Sequence, residues 1–181
     1  MPELVTARLT LRPYRAVDLD LIAPLYEDAE VTAYTKLGHR TRAQSAAILG
    51  SYIDLWDARD FGMRALFRRS DGAFVGECGV FLLATGEAAL RYALLRAAWG
   101  QGLAPEAVQA TIDDLFARAV VPHVLSIVQA RNTASRRVME KAGWQLDRTG
   151  RDGDLELLVF RVTRELWQRR VDQASADRPQ Q

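Results

Sequence analysis

The stretch Trp99-Gly100-Gln101-Gly102-Leu103-Ala104-Pro105-Glu106-Ala107 constrains this chain more than any other. Residues 88–96 before it read as a strand. After it, Ala107, Val108, Ala110, Thr111, Ile112, Leu115 and Phe116 recur at helical spacing, and Pro105 with Glu106 suits a first turn, so a helix is expected over 105–119. A strand that passes through a glycine loop straight into a strong helix leaves first-turn N–H groups unpaired and facing outward, where the helix dipole adds partial positive charge. Glycine at 100 and 102 removes the Cβ atoms that would obstruct a large anion. The natural guest is a diphosphate, although two glycines can equally do no more than turn the chain. Gly102→Glu is expected to abolish such binding by setting a Cβ and a negative charge against the anion.

The flanking pattern places this junction in a sheet. Residues 8–13 (RLTLRP) alternate apolar and polar positions as a half-buried strand does. Helices are expected over 18–28, capped by Asp18, and over 41–59, where Gly50 weakens a stripe of Ala47, Ile48, Tyr52, Leu55 and Trp56. Runs at 61–68, 73–83 and 88–96, joined by Asp71-Gly72 and Thr85-Gly86 turns, form an antiparallel meander. Downstream, a strand over 123–130, a helix over 132–142 stopped by Gly143, and strands over 144–148 and 155–162 imply a partly parallel sheet.

A second segment, Asn132-Thr133-Ala134-Ser135-Arg136-Arg137-Val138-Met139-Glu140-Lys141-Ala142-Gly143-Trp144, follows a strand and opens that helix. Taken alone, Asn132 is an N-cap and Gly143 a stop. In this order, the two segments resemble the signature motifs of the GNAT acetyltransferase superfamily over roughly residues 5–168. They look most like the branch that contains the ribosomal-protein N-terminal (Rim-type) acetyltransferases, which also holds enzymes for small amines.

That resemblance implies an α/β fold, more strictly α+β: a mixed central sheet of six to seven strands, an antiparallel N-terminal meander and about four helices. Chain length fits a single domain, taken over 1–170, and 171–181, rich in Gln, Asp and Arg and without apolar periodicity, is expected to be a disordered tail. The resemblance further implies transfer of an acetyl group from acetyl-CoA to a primary amine, either a protein N-terminus or a small molecule, by direct attack in a ternary complex. The backbone of Gly100, Gln101, Gly102, Leu103, Ala104 and Pro105 would hold the diphosphate. Tyr92, Ala93 and Leu94 would line the pantetheine arm, with the Leu94 N–H able to polarise the acetyl carbonyl. By the same analogy Asn132 bonds the pantetheine chain, Ser135 assists the departing thiolate, and Arg137 belongs to a basic cluster with Arg131, Arg136 and Lys141 near the nucleotide end. Substrate preference should come from residues 14–60, where Tyr34, Tyr52 and Trp56 can be acceptor wall or core.

The chain departs from the family pattern at two catalytic positions. A tyrosine seven residues after the motif asparagine protonates the thiolate in several relatives, and here that position is Met139, which has no proton to give. A Glu-x-Gly-Tyr pattern on the strand before the loop becomes Ala89-Leu90-Arg91-Tyr92, so the usual carboxylate is absent. Candidate bases are Glu77 and Glu156, with Glu87 and Asp154 beside them. The losses at Ala89 and Met139 also admit a different reading, a non-catalytic acyl-CoA-binding or regulatory domain.

Composition narrows the remainder. A formal charge of +1 in 181 residues gives no global field of the kind nucleic-acid binders carry. The single Cys78 and two separated histidines make no metal-ligand set, so no metal is expected. Without a long apolar run, no membrane partner is expected and a cytoplasmic location is. The partners are acetyl-CoA and an amine acceptor, and the chain is a monomer or a homodimer.

Overall fold

The computed structural model describes residues 3–35, 38–118 and 120–176. An eight-stranded sheet runs through them in the order β1-β2-β3-β4-β5-β6-β8-β7. Its strands are β1 (Leu4–Val5), β2 (Leu9–Pro13), β3 (Met63–Arg68), β4 (Phe74–Leu82), β5 (Ala88–Leu94), β6 (His123–Gln129), β7 (Gln145–Asp152) and β8 (Leu155–Thr163). The helices are α1 (Leu19–Glu27), α2 (Ala29–Thr32), α3 (Arg42–Arg59), α4 (Leu103–Ala117), α5 (Thr133–Lys141) and α6 (Arg164–Ala176). No helix of the described residues is long and apolar enough to cross a membrane.

Strand alternation sorts the two faces of the sheet. On one face Cys78, Val80, Leu90, Leu94, Val124 and Val128 pack against Leu103, Ala107, Val108, Ile112, Leu115 and Phe116 of α4, forming the main core. On the other, α1 and α3 bring Ile22, Tyr26, Leu49 and Tyr52 against Met63 and Ala65. The start of α3 is closed by a reciprocal cap: Thr41 accepts from the Gln44 amide, and the Gln44 side chain accepts from the Thr41 amide.

Every neighbouring strand pair is antiparallel except β5 and β6, which run parallel and pair only at Ala89 and Leu125. Beyond that single contact their carboxyl ends, Leu94 and Gln129, part. A gap in the sheet therefore opens beside the start of α4, at the end of the strands where α/β sheets receive ligands.

The element count exceeds the sequence expectation: eight strands replace six to seven, and six α-helices replace about four, among the described residues. β1 has two residues and α2 has four, too short to show a period. α6 carries little apolar surface and is held by Trp167, whose indole donates to Asp113 at 2.6 Å and whose ring lies 5.7 Å from that of Phe116. It continues to Ala176, so the boundary expected at Val171 falls inside a helix, while 177–181 and Ala119, the expected end of α4, lie outside the described residues.

Candidate functional site

The junction read from the sequence opens onto the gap. Gly100 and Gly102 have φ of 72° and 71°, left-handed values that an L side chain resists. Gly102 is the N-cap of α4, and no side chain bonds the free amides of that first turn. The loop is tied down around them: the Gln101 side chain donates to the Ala97 carbonyl at 2.7 Å, and the Trp99 indole donates to the Leu94 carbonyl at 2.7 Å. A Cβ at Gly102 would point at Arg8, 3.5 Å from Nη2. A glutamate at 102 would therefore start toward the Arg8 guanidinium rather than the anion, and its cost would be a strained φ, not the charge against the diphosphate that the sequence suggests.

Along the gap, the Leu95 amide bonds the Val75 carbonyl of β4 at 2.9 Å. Ladder bonds alternate, so the amides of Leu94 and Tyr92 turn the other way, toward β6. β4 comes so close here that a Cβ on Gly76 would stand 2.2 Å from the Ala93 carbonyl oxygen. Ala93 itself is buried on the α1 and α2 side.

Across the gap, the Tyr92 and Ser135 hydroxyls lie 2.8 Å apart. Asn132 caps α5 by accepting from the Ser135 amide at 3.0 Å, which leaves its Nδ2 group outside the cap. Burial pushes the Tyr92 phenol up to about 12, against the pull of Ser135, so it stays neutral and able to donate. Arg137 is exposed on α5, and Arg131 stacks 5.5 Å from the ring centre of Tyr34 at the mouth of the gap. Gln129 ties that mouth by donating to the Tyr34 carbonyl at 3.1 Å.

The opposite face of β5 carries a buried polar cluster. The fully buried Glu77 accepts from Tyr26 at 2.5 Å, from Tyr14 at 3.1 Å and from Arg91 at 3.1 Å. The hydroxyls of Tyr26 and Tyr52 are 2.7 Å apart, and the Arg91 guanidinium bonds both. Arg91 also sits 5.6 Å from the centre of the Phe81 ring. Burial pushes the Glu77 carboxyl up to about 7, while the hydrogen bonds from Tyr26 and Tyr14 pull it down.

The other candidates fall elsewhere. The Glu156 and Asp154 side chains are exposed on the β7–β8 hairpin, and Glu87 bonds Thr85 and His123 near the base of β5. Met139 is fully buried in the core. Cys78 is buried, with its thiol pushed up to about 12 by that burial, and behaves as a small apolar residue. Trp56 is core, donating to the Met63 carbonyl at 2.8 Å. Sequence reasoning missed Arg8, Tyr14 and Tyr26, whose partners lie 93, 63 and 51 positions away, beyond the reach of any local pattern.

Comparison with known proteins bears on this geometry. The family model for the acetyltransferase (GNAT) domain matches residues 8–145. An uncharacterized N-acetyltransferase, p20, from Bacillus licheniformis is 30% identical over 84% of this chain and 87% of its own. A crystal structure of an acetyltransferase from Agrobacterium tumefaciens superposes with a TM-score of 0.79 at 26% identity, covering 90% of this chain and 94% of that one. The RimL ribosomal L7/L12 alpha-N-protein acetyltransferase, solved in complex with coenzyme A, shares the fold with a TM-score of 0.79 at 15% identity, over 90% of this chain and 98% of its own. With two parallel strands parting beside an uncapped helix start, and with a family model spanning most of its length, the chain belongs to the GNAT family of acetyl-CoA-dependent acyltransferases.

Proposed function

We propose that the protein transfers an acetyl group from acetyl-CoA to a primary amine, a protein N-terminus or a small molecule, by direct attack in a ternary complex. The observation that carries this reading is the single-point pairing of β5 and β6 next to the uncapped first turn of α4. One cleft thus offers free helix amides for a diphosphate and outward-turned strand amides along its wall. Gly100 through Pro105 hold the diphosphate by their backbone, and Tyr92, Ala93 and Leu94 flank the pantetheine arm. The Nδ2 group of Asn132 is free to bind that arm, and Arg137 reaches toward the nucleotide end.

When bound, acetyl-CoA supplies an activated carbonyl and a thiolate leaving group. The Leu94 N–H is aimed to stabilise the oxyanion that develops on that carbonyl. Ser135 donates its proton to the departing sulfur, and Tyr92, 2.8 Å away, orients and can recharge the serine hydroxyl. The amine enters from the Arg91 face and loses its proton along the hydroxyls of Tyr52 and Tyr26 to Glu77, a carboxyl near neutrality and therefore suited to accept it. Glu156, exposed on its hairpin, takes no part.

The test is a thiol-release screen with acetyl-CoA against N-terminal peptides, amino acids, polyamines and aminoglycosides. Turnover with one class identifies the acceptor, and Ser135→Ala then lowers kcat by roughly 10²-fold, the usual weight of a positioned proton donor. Tight binding of acetyl-CoA with no turnover on any amine would replace this reading with that of a non-catalytic binding domain.

A further inference from the structure

Arg8 lies 93 positions before the glycine loop in sequence and directly beneath it in space. Its Nη1 donates to the Gln101 carbonyl at 2.7 Å and its Nη2 to the Gly102 carbonyl at 3.0 Å. The remaining side-chain donor, Nε, is fixed on Glu106 of α4 at 2.6 Å, and the Arg8 backbone amide donates to the same carboxylate at 2.8 Å. Thr6 adds a third bond to Glu106, at 2.6 Å. The start of β2 is thereby clamped to both the loop and the first turn of the helix.

The consequence follows from the planarity of the peptide bond. In a trans peptide the C=O of one residue and the N–H of the next point in opposite directions. Drawing the carbonyls of residues 101 and 102 down onto the guanidinium therefore turns the amides of Gly102 and Leu103 away from it. Those two N–H groups head the uncapped turn of α4, where an anion is held. Glycine at both bends makes the loop easy to reorient, so something other than its own sequence must select one orientation. Glu106, which sits in the same first turn and would repel a diphosphate, is neutralised by the same arginine.

We infer that Arg8 is a positioning residue for coenzyme A: a strut that orients the Gly102 and Leu103 amides toward the diphosphate while touching only the far side of the loop. This rests on the reading of the glycine loop as the diphosphate cradle. It needs no knowledge of the acceptor, because the readout is binding.

Calorimetric titration with coenzyme A of the full chain and of Arg8→Met, Arg8→Lys and Ala104→Glu tests it, with hydrogen exchange measured on the unliganded proteins. Arg8→Met should weaken coenzyme A by about tenfold or more, the scale of losing two charge-assisted bonds, and should speed exchange selectively at residues 100–104. Arg8→Lys keeps the charge near Glu106 but can reach only one carbonyl, so it should recover part of the affinity whether or not the methionine variant folds well. Arg42→Met, which removes an exposed arginine paired with Asp20, serves as the unchanged control. Parent-like affinity in both Arg8 variants, with no binding by Ala104→Glu, would overturn the strut and leave the cradle standing. Parent-like affinity in Ala104→Glu would overturn the cradle and the strut with it.

Discussion

Strand β5 has two faces built on opposite plans. Toward α4 and α5 the working groups are mostly backbone: left-handed glycines at 100 and 102, an uncapped helix start, and strand amides turned into a gap. Toward α1 and α3 they are side chains alone, with Glu77, Arg91 and three tyrosines forming one buried cluster. The difference is one of separability. A backbone cradle can lose its ligand without losing its fold, since the amides stay where the helix puts them. A buried charge cluster cannot lose a member so cheaply, because each remaining group keeps its desolvation penalty and loses its compensation.

The largest effect should therefore come from the face that holds Glu77 and be one of stability. Glu77→Leu leaves the Arg91 guanidinium, whose side chain is only 20% exposed, without its carboxylate. Removing one partner of such a pair costs about 3 kcal/mol or more, and chemical denaturation should show it. Glu77→Leu combined with Arg91→Leu should regain much of that loss, since the uncompensated charge goes too. Coenzyme A affinity of the folded single variant should stay near that of the parent, because the lost side chain bonds only Tyr14, Tyr26 and Arg91, while its ladder pairing with Ala93 is backbone and is kept. A large loss of coenzyme A binding there would erase the distinction between the faces.

The same carboxyl gives a pH dependence of defined sign. Its folded pKa, about 7, stands above the 4.5 of an unfolded glutamate, so the folded state holds a proton that the unfolded state releases earlier. The stability it contributes is complete below pH 4.5 and is lost as pH rises through 7. Melting temperature should decline across that window and flatten in Glu77→Gln, while acetyl transfer should climb over the same range if Glu77 is the base, as proposed. Burial sets this titration against the hydrogen bonds donated by Tyr26 and Tyr14, while Arg91 lies 3.1 Å from the same carboxyl and Tyr52 reaches it only through Tyr26.

Next in size is the converse experiment on the cofactor face. Ala104→Glu places a carboxylate in the first turn of α4, where a negative charge favours the helix by a few tenths of a kcal/mol and competes for the same amides as the diphosphate. Coenzyme A binding should fall by about 10²-fold or more, close to 3 kcal/mol, a far larger change than any in melting temperature, where the gain at the helix start offsets the loss of the partly buried Ala104 methyl.

The two plans also explain which parts of the molecule were legible in the sequence. Glycines, a proline and helical periodicity are local signals, so the junction at 99–107, its helix and the cap at Asn132 could be read residue by residue. The meander followed from alternation and Asp-Gly turns. Glu77 could be named only as one carboxylate among several, because what distinguishes it is burial under Tyr14, Tyr26 and Arg91, partners that α1 and β5 bring from distant positions. In the sequence Arg8 is an ordinary strand residue for the same reason. α6 was missed because its stripe is a leucine and a tryptophan against α4, too little for periodicity to register.

The smallest effect separates the two helix starts on which the cofactor side relies. α4 begins open, whereas α5 begins closed by its own asparagine, which accepts from the Ser135 amide at 3.0 Å. Asn132→Ala should cost about 1 kcal/mol of stability through the lost cap, as Thr41→Ala should at the start of α3. If Asn132 serves only as a cap, the two alanine variants should bind coenzyme A alike. If its free Nδ2 group also bonds the pantetheine arm, Asn132→Ala should weaken coenzyme A by a further several-fold while Thr41→Ala leaves it unchanged, the scale expected for one neutral hydrogen bond. Asn132→Asp then decides the matter: it keeps the acceptor that caps α5 and removes the donor, so stability should be retained and only affinity should fall.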